Sequence, residues 1–311
     1  MAEAPPILTV VIPAYNAEKY IRETIDSVLK QKTSFNFEVV VADDCSKDST
    51  FAICQEYAQQ HSNFKVIRHE KNLGNGQHNP NQYFVSTYPK TPFIATIDAD
   101  DIYATDDFLE RQVQFLINNP DVTKVFTNVE VFNSETGEAK VRFTNQTKPP
   151  ATFDLHYYLK NTVAICQSST MFRYDKENEI PAYTGEYFQS DWLMHLFHGL
   201  HGKLGYNDFV GVKYRVHSTN ATNPRNQEKI FLDGIDITYN LIKKMLPEPY
   251  HKYFDHPRFE MNMLAFYYLR TKQFSLFLKW YIRWFKVTPL KAINFRDQFY
   301  LLRKNIAQIK K

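Results

Sequence analysis

Apolar and polar positions along the first third of the chain follow two alternating periods. ILTVVIP (7–13) is an almost unbroken apolar run, the pattern of a strand covered on both faces. Ala17 to Lys30 follows, with Ile21, Ile25, Val28 and Leu29 at helical spacing. FEVVVADD (37–44) predicts a second buried strand, and Asp48 to Gln60 a helix that Ser46 or Asp48 can cap. FKVIRH (64–69) predicts a third strand, and Gln77 to Thr87 a weaker helix. PFIATID (92–98) is a fourth strand, followed by a helix over 106–118 with Thr105 as its cap.

Strand–helix–strand units repeated in this way predict a mainly parallel sheet with helices on both faces. Ligands of such sheets bind beyond the carboxyl ends of the strands. Those ends are Pro13-Ala14-Tyr15-Asn16, Asp43-Asp44 and Asp98-Ala99-Asp100-Asp101. Three separate strands therefore deliver polar groups to one edge.

After residue 119 the pattern is mixed. VTKVFTNVEVF (122–132), SSTMFRY (168–174) and FVGVKYRVH (209–217) read as strands, and Asp191 to His198 as a short helix. Asn133 to Pro150 alternates strand and turn signals and reads as an excursion. From Asn226 onward the pattern is helical, broken near Pro247–Pro249 and near Pro289. The domain reading is 1–222 for the α/β body and 223–311 for a helical region.

Composition narrows the class. Of 311 residues, 43% are hydrophobic and 15% aromatic, which allows a substantial core and argues against disorder. A net charge of +3 makes no case for nucleic-acid binding. That charge is unevenly placed: Arg270 to Lys311 holds eleven Lys/Arg and one acid, Asp297, so the remainder is net acidic. Cys45, Cys54 and Cys166 form no CxxC, which points away from a zinc site or a disulfide framework and toward a cytoplasmic protein. MAEAPPILTV lacks the features of a signal peptide, and no apolar run is long enough for a spanning helix.

The acids carry the candidate chemistry. Asp98 and Asp100 lie two apart at a strand exit, so in extended backbone both side chains face the same way. Mn²⁺ or Mg²⁺ takes one or two carboxylates and completes its shell with phosphate and water. The same residues also fit a solvated loop that caps the next helix. Asp43 and Asp44 can accept hydrogen bonds from a nucleobase or a ribose, and the turn at Pro13, Ala14 and Tyr15 can hold the base. His195, His198 and His201 lack a carboxylate partner nearby, so packing or surface roles fit them better than a metal.

Taken together, VVIPAYNAEKYIRETIDSVLKQ, FEVVVADDCSKDST, HEKNLGNGQHNPNQ, FIATIDADD, EYFQSDWLMHL and YRVHSTNAT resemble the inverting family 2 glycosyltransferases of bacterial cell-surface polysaccharide synthesis. The resemblance runs over roughly residues 7–222. It implies an α/β GT-A fold with a Rossmann-like mixed sheet, and metal-dependent transfer of a sugar from a nucleotide sugar, with UDP as the nucleotide. The acceptor is a saccharide or a lipid-linked saccharide. Pro13, Ala14 and Tyr15 would line the base pocket, Asp44 would touch the base with Asp43 beside it, and Asn72 and Gly74 would close over the nucleotide. Asp98 and Ala99 would lie on the ribose side. Asp100 would hold the metal on the diphosphate.

The family's base is the Asp of a Glu-Asp pair. Here SDW (190–192) stands in that place, which makes Asp191 the candidate, with Ser190 where Glu is usual and Glu186 as the understudy. Capping of the following helix is the plainer role for Asp191. In YRVH, His217 would meet the metal or the diphosphate, and Arg215 would add positive charge.

Two rival readings have less support. A nucleotidyltransferase would need a basic, glycine-rich first loop, and PAYNAEKY is neither. A non-catalytic sugar-nucleotide binder rests on Ser190 alone. The C-terminal stretch FSLFLKWYIRWFKV spaces Lys279, Arg283 and Lys286 among aromatics. That pattern fits a helix lying in a membrane interface at the inner face of the cell membrane, and equally a helix packed in a bundle.

Overall fold

The computed structural model describes residues 4–73, 91–142, 148–161, 163–174, 190–218, 244–251 and 272–287, with single residues at 87, 265, 268, 269, 298, 299, 302, 303 and 306. The chain forms two compact units, Met1–Asn220 and Ala221–Lys311.

Among the described residues, the first unit is built on one ten-stranded sheet. Its opening strands are β1 (Leu8–Ala14), β2 (Phe37–Asp43), β3 (Phe64–Arg68) and β4 (Phe93–Thr96). β5 (Ile102–Tyr103), β6 (Val122–Asn133), β7 (Ala139–Arg142), β8 (Thr152–Phe153), β9 (Thr170–Arg173) and β10 (Lys203–Val216) complete it. The spatial order is β3-β2-β1-β4-β9-β6-β10-β5, with β7 on β6 and β8 on β10. β1 pairs in parallel with β2 and β4, and β6 with β10. β9 runs antiparallel between β4 and β6. The sheet is mixed because β9, and the short strands β5, β7 and β8 at its far side, pair antiparallel with their neighbours.

Helices α1 (Ile21–Leu29), α2 (Thr50–Gln60), α3 (Phe108–Asn118), α4 (Leu155–Asn161) and α5 (Ser190–His201) cover the sheet. β1 is buried along its whole length, as its unbroken apolar run requires. Ile21, Ile25 and Val28 of α1 pack into the same core as Leu8, Val10 and Ile12. Burying each such side chain favours folding by about 1.5–3 kcal/mol.

Several boundaries differ from the sequence reading. α1 begins at Ile21, because residues 17–20 form a turn in which the Tyr20 amide bonds to the Ala17 carbonyl. α2 begins at Thr50, and Asp48 serves it by accepting from the Thr50 amide at 3.0 Å. Thr105 does not cap α3, which starts at Phe108. Gln31 does that work: its Oε1 accepts from the Leu109 amide at 3.0 Å, while its Nε2 donates to the Thr105 carbonyl at 2.7 Å. The excursion over 133–150 contains β7, which pairs antiparallel with β6. Of the two roles expected for the histidines, His195 and His198 take the packing one, both being buried. The predicted helix over 77–87, apart from the helical Thr87, together with Gly74, Glu186 and the break near Pro289, lies outside the described residues.

In the second unit, α6 (Glu248–His251) follows Pro247, and α7 (Phe274–Val287) carries the aromatic, basic stretch. Trp284 of α7 is buried against Trp280 and Tyr281. Phe274, Leu278, Ile282 and Phe285 are exposed. No helix among the described residues is long and apolar enough to cross a membrane.

Candidate active site

Two loops are stitched together where β1 and β2 end. The Asp44 amide donates to the Ala14 carbonyl at 2.8 Å, continuing the pairing of Ala14 with Asp43. Asn16 sits at φ 49°, and its Oδ1 accepts from the Lys47 amide at 2.8 Å. The Asn16 amide donates to Ser46 Oγ at 3.0 Å, and the Ala17 amide to Thr50 Oγ1 at 2.7 Å. An asparagine tolerates this left-handed backbone better than most residues do. Tyr15 is left projecting into solvent beyond the strand end.

The two acids of this region are held in place. Asp43 is wholly buried, and its Oδ2 accepts from the Ser46 amide at 3.2 Å and faces Arg68 Nε at 3.4 Å. Asp44 Oδ1 accepts from the Leu73 amide at 2.7 Å, and Asn72 Nδ2 donates to the Asp44 carbonyl at 3.0 Å. The segment through Asn72 therefore folds down onto the end of β2, next to Ala14. Pro13 lies within β1, opposite Ala42.

The run Asp98-Ala99-Asp100-Asp101 forms a turn fixed from three sides. The Asp101 amide closes it by donating to the Asp98 carbonyl at 3.0 Å. Thr24 of α1 donates its hydroxyl to the carbonyls of Ala99 at 3.0 Å and Asp101 at 2.8 Å. Ser168, in the 3-10 turn 167–169 before β9, accepts from the Asp98 amide at 3.1 Å. The end of β10 supplies the third side. The Arg215 amide donates to Asp101 Oδ1 at 2.8 Å, and Arg215 Nε donates to the Asp100 carbonyl at 2.8 Å. The Arg215 guanidinium also pairs with Glu23 and lies 4.7 Å from the ring centres of both Tyr20 and Phe132.

Asp101 is wholly buried. Desolvation, then the charges of Asp100 and Asp98, push its carboxyl well above the usual range, opposed by Ser168 and the Arg215 amide. The turn is thus an acid cluster with too little positive charge of its own. His217, also nearly buried, brings Nε2 to 3.0 Å from Asp100 Oδ2, its ring lying 4.6 Å from that of Tyr20. A carboxylate only accepts, so Nε2 carries the proton in this contact.

This pair fits a divalent metal. Ligands side by side on Mg²⁺ or Mn²⁺ at about 2.1 Å stand roughly 3 Å apart, which is the separation found here. The ion would take the place of the shared proton. Among the described residues no group of three His, Cys, Asp or Glu could hold it alone. Further oxygens would come from a phosphate and from water, as the chemistry of a diphosphate site requires.

Asp191 lies in the first turn of α5, with Oδ1 out of contact with solvent. The direction of α5 follows from two bonds. Thr123, at the start of β6, donates to the His198 carbonyl at 2.8 Å, and Gln167 Nε2 reaches Met194 Sδ at 3.7 Å. The helix therefore runs against β6, and its first turn points to the carboxyl edge. A carboxylate at that helix end is favoured in its ionised form.

The expected residues fall into three groups. Ala14, Asp43, Asp44 and Asn72 meet at the first two strand ends. Asp98, Ala99, Asp100, Arg215 and His217 meet at β4 and β10. Asp191 stands on α5. Glu23, Tyr20, Ser168 and Lys124 were not anticipated. Glu23 and Tyr20 lie on the exposed-looking side of the first helical pattern, and only the three-dimensional approach of Arg215 gives them a role.

The model of the family described as glycosyl transferase family 2 matches residues 9–180. Rv1520 of Mycobacterium tuberculosis is 29% identical over 216 residues, covering 68% of this chain and 59% of that protein, so the chain spans under two thirds of the length of such relatives. The poly(ribitol-phosphate) beta-N-acetylglucosaminyltransferase TarS of Staphylococcus aureus is 37% identical over 109 residues, 35% of this chain and 18% of TarS. A crystal structure of TarS 1–349 with UDP-GlcNAc superposes with a TM-score of 0.59 at 20% identity, over 97% of this chain and 89% of the other. The mannosyltransferase PcManGT of Pyrobaculum calidifontis, solved with GDP-Man and Mn²⁺, gives a TM-score of 0.56 at 14% identity, over 99% of this chain and 84% of that one.

Proposed function

Because the chain belongs to glycosyl transferase family 2 and is a glycosyltransferase, we propose that it moves a sugar from a UDP-sugar to a saccharide or lipid-linked saccharide acceptor, with inversion. The observation that carries this reading is the contact of Asp100 with His217 at 3.0 Å, set between Asp98 and Arg215 at the carboxyl edge of the sheet. The base and ribose are assigned to the floor formed by Pro13, Ala14, Tyr15, Asp43, Asp44 and Asn72, with Asp98 and Ala99 on the ribose side. The UDP and UDP-GlcNAc complexes of TarS support UDP as the nucleotide.

Asp100 and His217 would hold the divalent cation, for which the Mn²⁺ complex of the mannosyltransferase is a precedent. When bound, the ion offsets the charge that develops on the departing diphosphate. Arg215 fixes the Asp100 backbone and adds positive charge behind it. Asp191 takes the proton from the acceptor hydroxyl as that oxygen attacks the anomeric carbon. One displacement without a covalent intermediate inverts the anomeric centre.

The acceptor is assigned to a bacterial surface polysaccharide or its lipid-linked precursor; the poly(ribitol-phosphate) in the name of TarS is a precedent for a polymeric acceptor in that enzyme. The exposed Phe274, Leu278, Ile282 and Phe285 of α7, with exposed Lys279 and Lys286 beside them, support peripheral contact with an anionic membrane surface.

The test is Asp191→Asn. Transfer from UDP-sugars should be abolished, while UDP with Mn²⁺ still raises the melting temperature as in the parent protein. Retained transfer, or turnover unaffected by chelation of divalent metal, would overturn the reading.

A further inference from the structure

Lys124 is out of place by every rule of burial. It lies in β6 opposite Phe172 of β9 and Leu204 of β10, in the middle of the sheet, and it is wholly buried. Lysine is almost never fully buried unless it is paired. Strand alternation puts it on the α5 side of β6 together with Phe126, whose neighbours are the rings of Phe153 and Tyr206. Its Nζ lies 5.7 Å from the Phe172 ring centre and donates to Gln167 Oε1 at 3.2 Å.

Gln167 is itself fixed. Its Nε2 reaches Thr96 Oγ1 at 3.1 Å and Met194 Sδ at 3.7 Å, and its carbonyl accepts from the hydroxyls of Thr96 at 3.1 Å and Thr170 at 2.8 Å. The side chain of Lys124 thus extends up the strand toward the first turn of α5. A methionine would fill the same space without a buried charge, so the ammonium group needs a partner to explain it.

Among the described residues, the charged and imidazole groups that act on it come from α5, with the buried Tyr158 of α4 edge-on to His195 at 6.3 Å. They are Asp191, His195 and His198, with His201 next to His198. Both histidines are driven well below their ordinary range, first by burial and then by Lys124, so they stay neutral. His195 Nδ1 and His198 Nε2 have no hydrogen-bond partner. Burial pulls the Lys124 ammonium down to about 7, and Asp191 is the charge that pulls it back.

We propose that Lys124 is a positioning residue for the catalytic base: its ammonium, sealed beneath α5, keeps the Asp191 carboxylate anionic and turned toward the sheet edge. This rests on the assignment of Asp191 as base. Lys124 touches neither donor nor acceptor. It acts through Asp191, and it ties the base to the 3-10 turn that also holds the Asp98 amide through Ser168.

The coupling is tested by ¹⁵N titration of lysine Nζ in the full chain, with the Lys124 signal assigned by its loss in Lys124→Arg. In Asp191→Asn the Lys124 ionisation should move down by about one pH unit, since one unit is the shift expected from losing a close opposite charge. An unmoved ionisation would overturn the proposal, and this arm needs no folded Met variant. In Lys124→Met, the acid limb of UDP release from UDP-GlcNAc should move up by about one pH unit, so the loss reaches at most about tenfold on that limb and vanishes on the alkaline plateau. Lys124→Arg should keep the limb in place. A uniform loss at every pH would assign Lys124 to packing alone. Should Asp191→Asn retain transfer while the lysine ionisation still moves, the base assignment fails and the pairing stands.

Discussion

Replacing Arg215 with methionine separates two effects of one side chain. Methionine keeps the apolar stem and removes the guanidinium. The lost hydrogen bond from Nε to the Asp100 carbonyl, 2.8 Å long, is a charged donor on a neutral acceptor and contributes about 1.5–3 kcal/mol. The two rings at 4.7 Å each add about 0.5–1 kcal/mol. The pairing with Glu23 adds about 0–1 kcal/mol, because that carboxylate is largely exposed. Allowing for partial relaxation, the variant should lose about 2–4 kcal/mol.

Urea unfolding followed by tryptophan fluorescence measures this as a lowered midpoint. Donor turnover at saturating Mn²⁺ should fall by about 10–100-fold, because the Asp100 backbone loses an anchor and small displacements at a reacting centre are costly. Arg215→Lys should recover less than half of either loss, since one ammonium cannot donate to Asp100, reach Glu23 and stack on two rings together. A methionine variant within about 0.5 kcal/mol of the parent and equally active would refute this account of the β10 end.

Other outcomes follow from the same geometry. Asp101 has its carboxyl raised above the unfolded value, so its ionised form weighs against the fold as pH climbs from the unfolded range through the folded one. Asp101→Asn should therefore gain melting temperature over the parent as pH rises from 5 to 8 in EDTA; a pH-independent difference would count against a raised carboxyl. Gly211→Ala should cost about 1–3 kcal/mol in urea, because the added carbon would stand 2.4 Å from Thr127 Oγ1 and 2.7 Å from the Phe108 ring. Cys54, its thiol pushed up to about 12 mainly by burial, should resist alkylation at pH 8 until urea is added; mass spectrometry reads this directly.

The strands were legible because β1 and β2 are short apolar runs rich in β-branched residues and bounded by turn signals. The acid turn after β4 was legible for a related reason: carboxylates directly after a buried run need a ligand or a cap. His217 and Asp100 were assigned to one metal from the resemblance, and the structure brings their side chains into contact. What stayed hidden depends on distant partners. Gln31 reads as a surface residue at a helix end, yet it replaces Thr105 as the cap of α3 across 78 residues of sequence. The strand pattern around Lys124 reads correctly while its most telling residue passes for a solvated charge. Two-residue strands such as β5 and β8 are too short for any period to register.

The reversed strand β9 has a consequence for how the protein is made. It lies between β4 and β6, yet it is synthesised after both. A nascent chain that has emerged only as far as β6 holds two unpaired strand edges side by side with no strand to join them. Such edges invite pairing with other chains. The Asp98 amide also waits for Ser168, so the acid turn after β4 is completed only when the segment before β9 docks. Fragments ending before Thr170 should therefore aggregate rather than fold as a small nucleotide binder. The acid turn after β4 and the sheet centre under α5 should become native together.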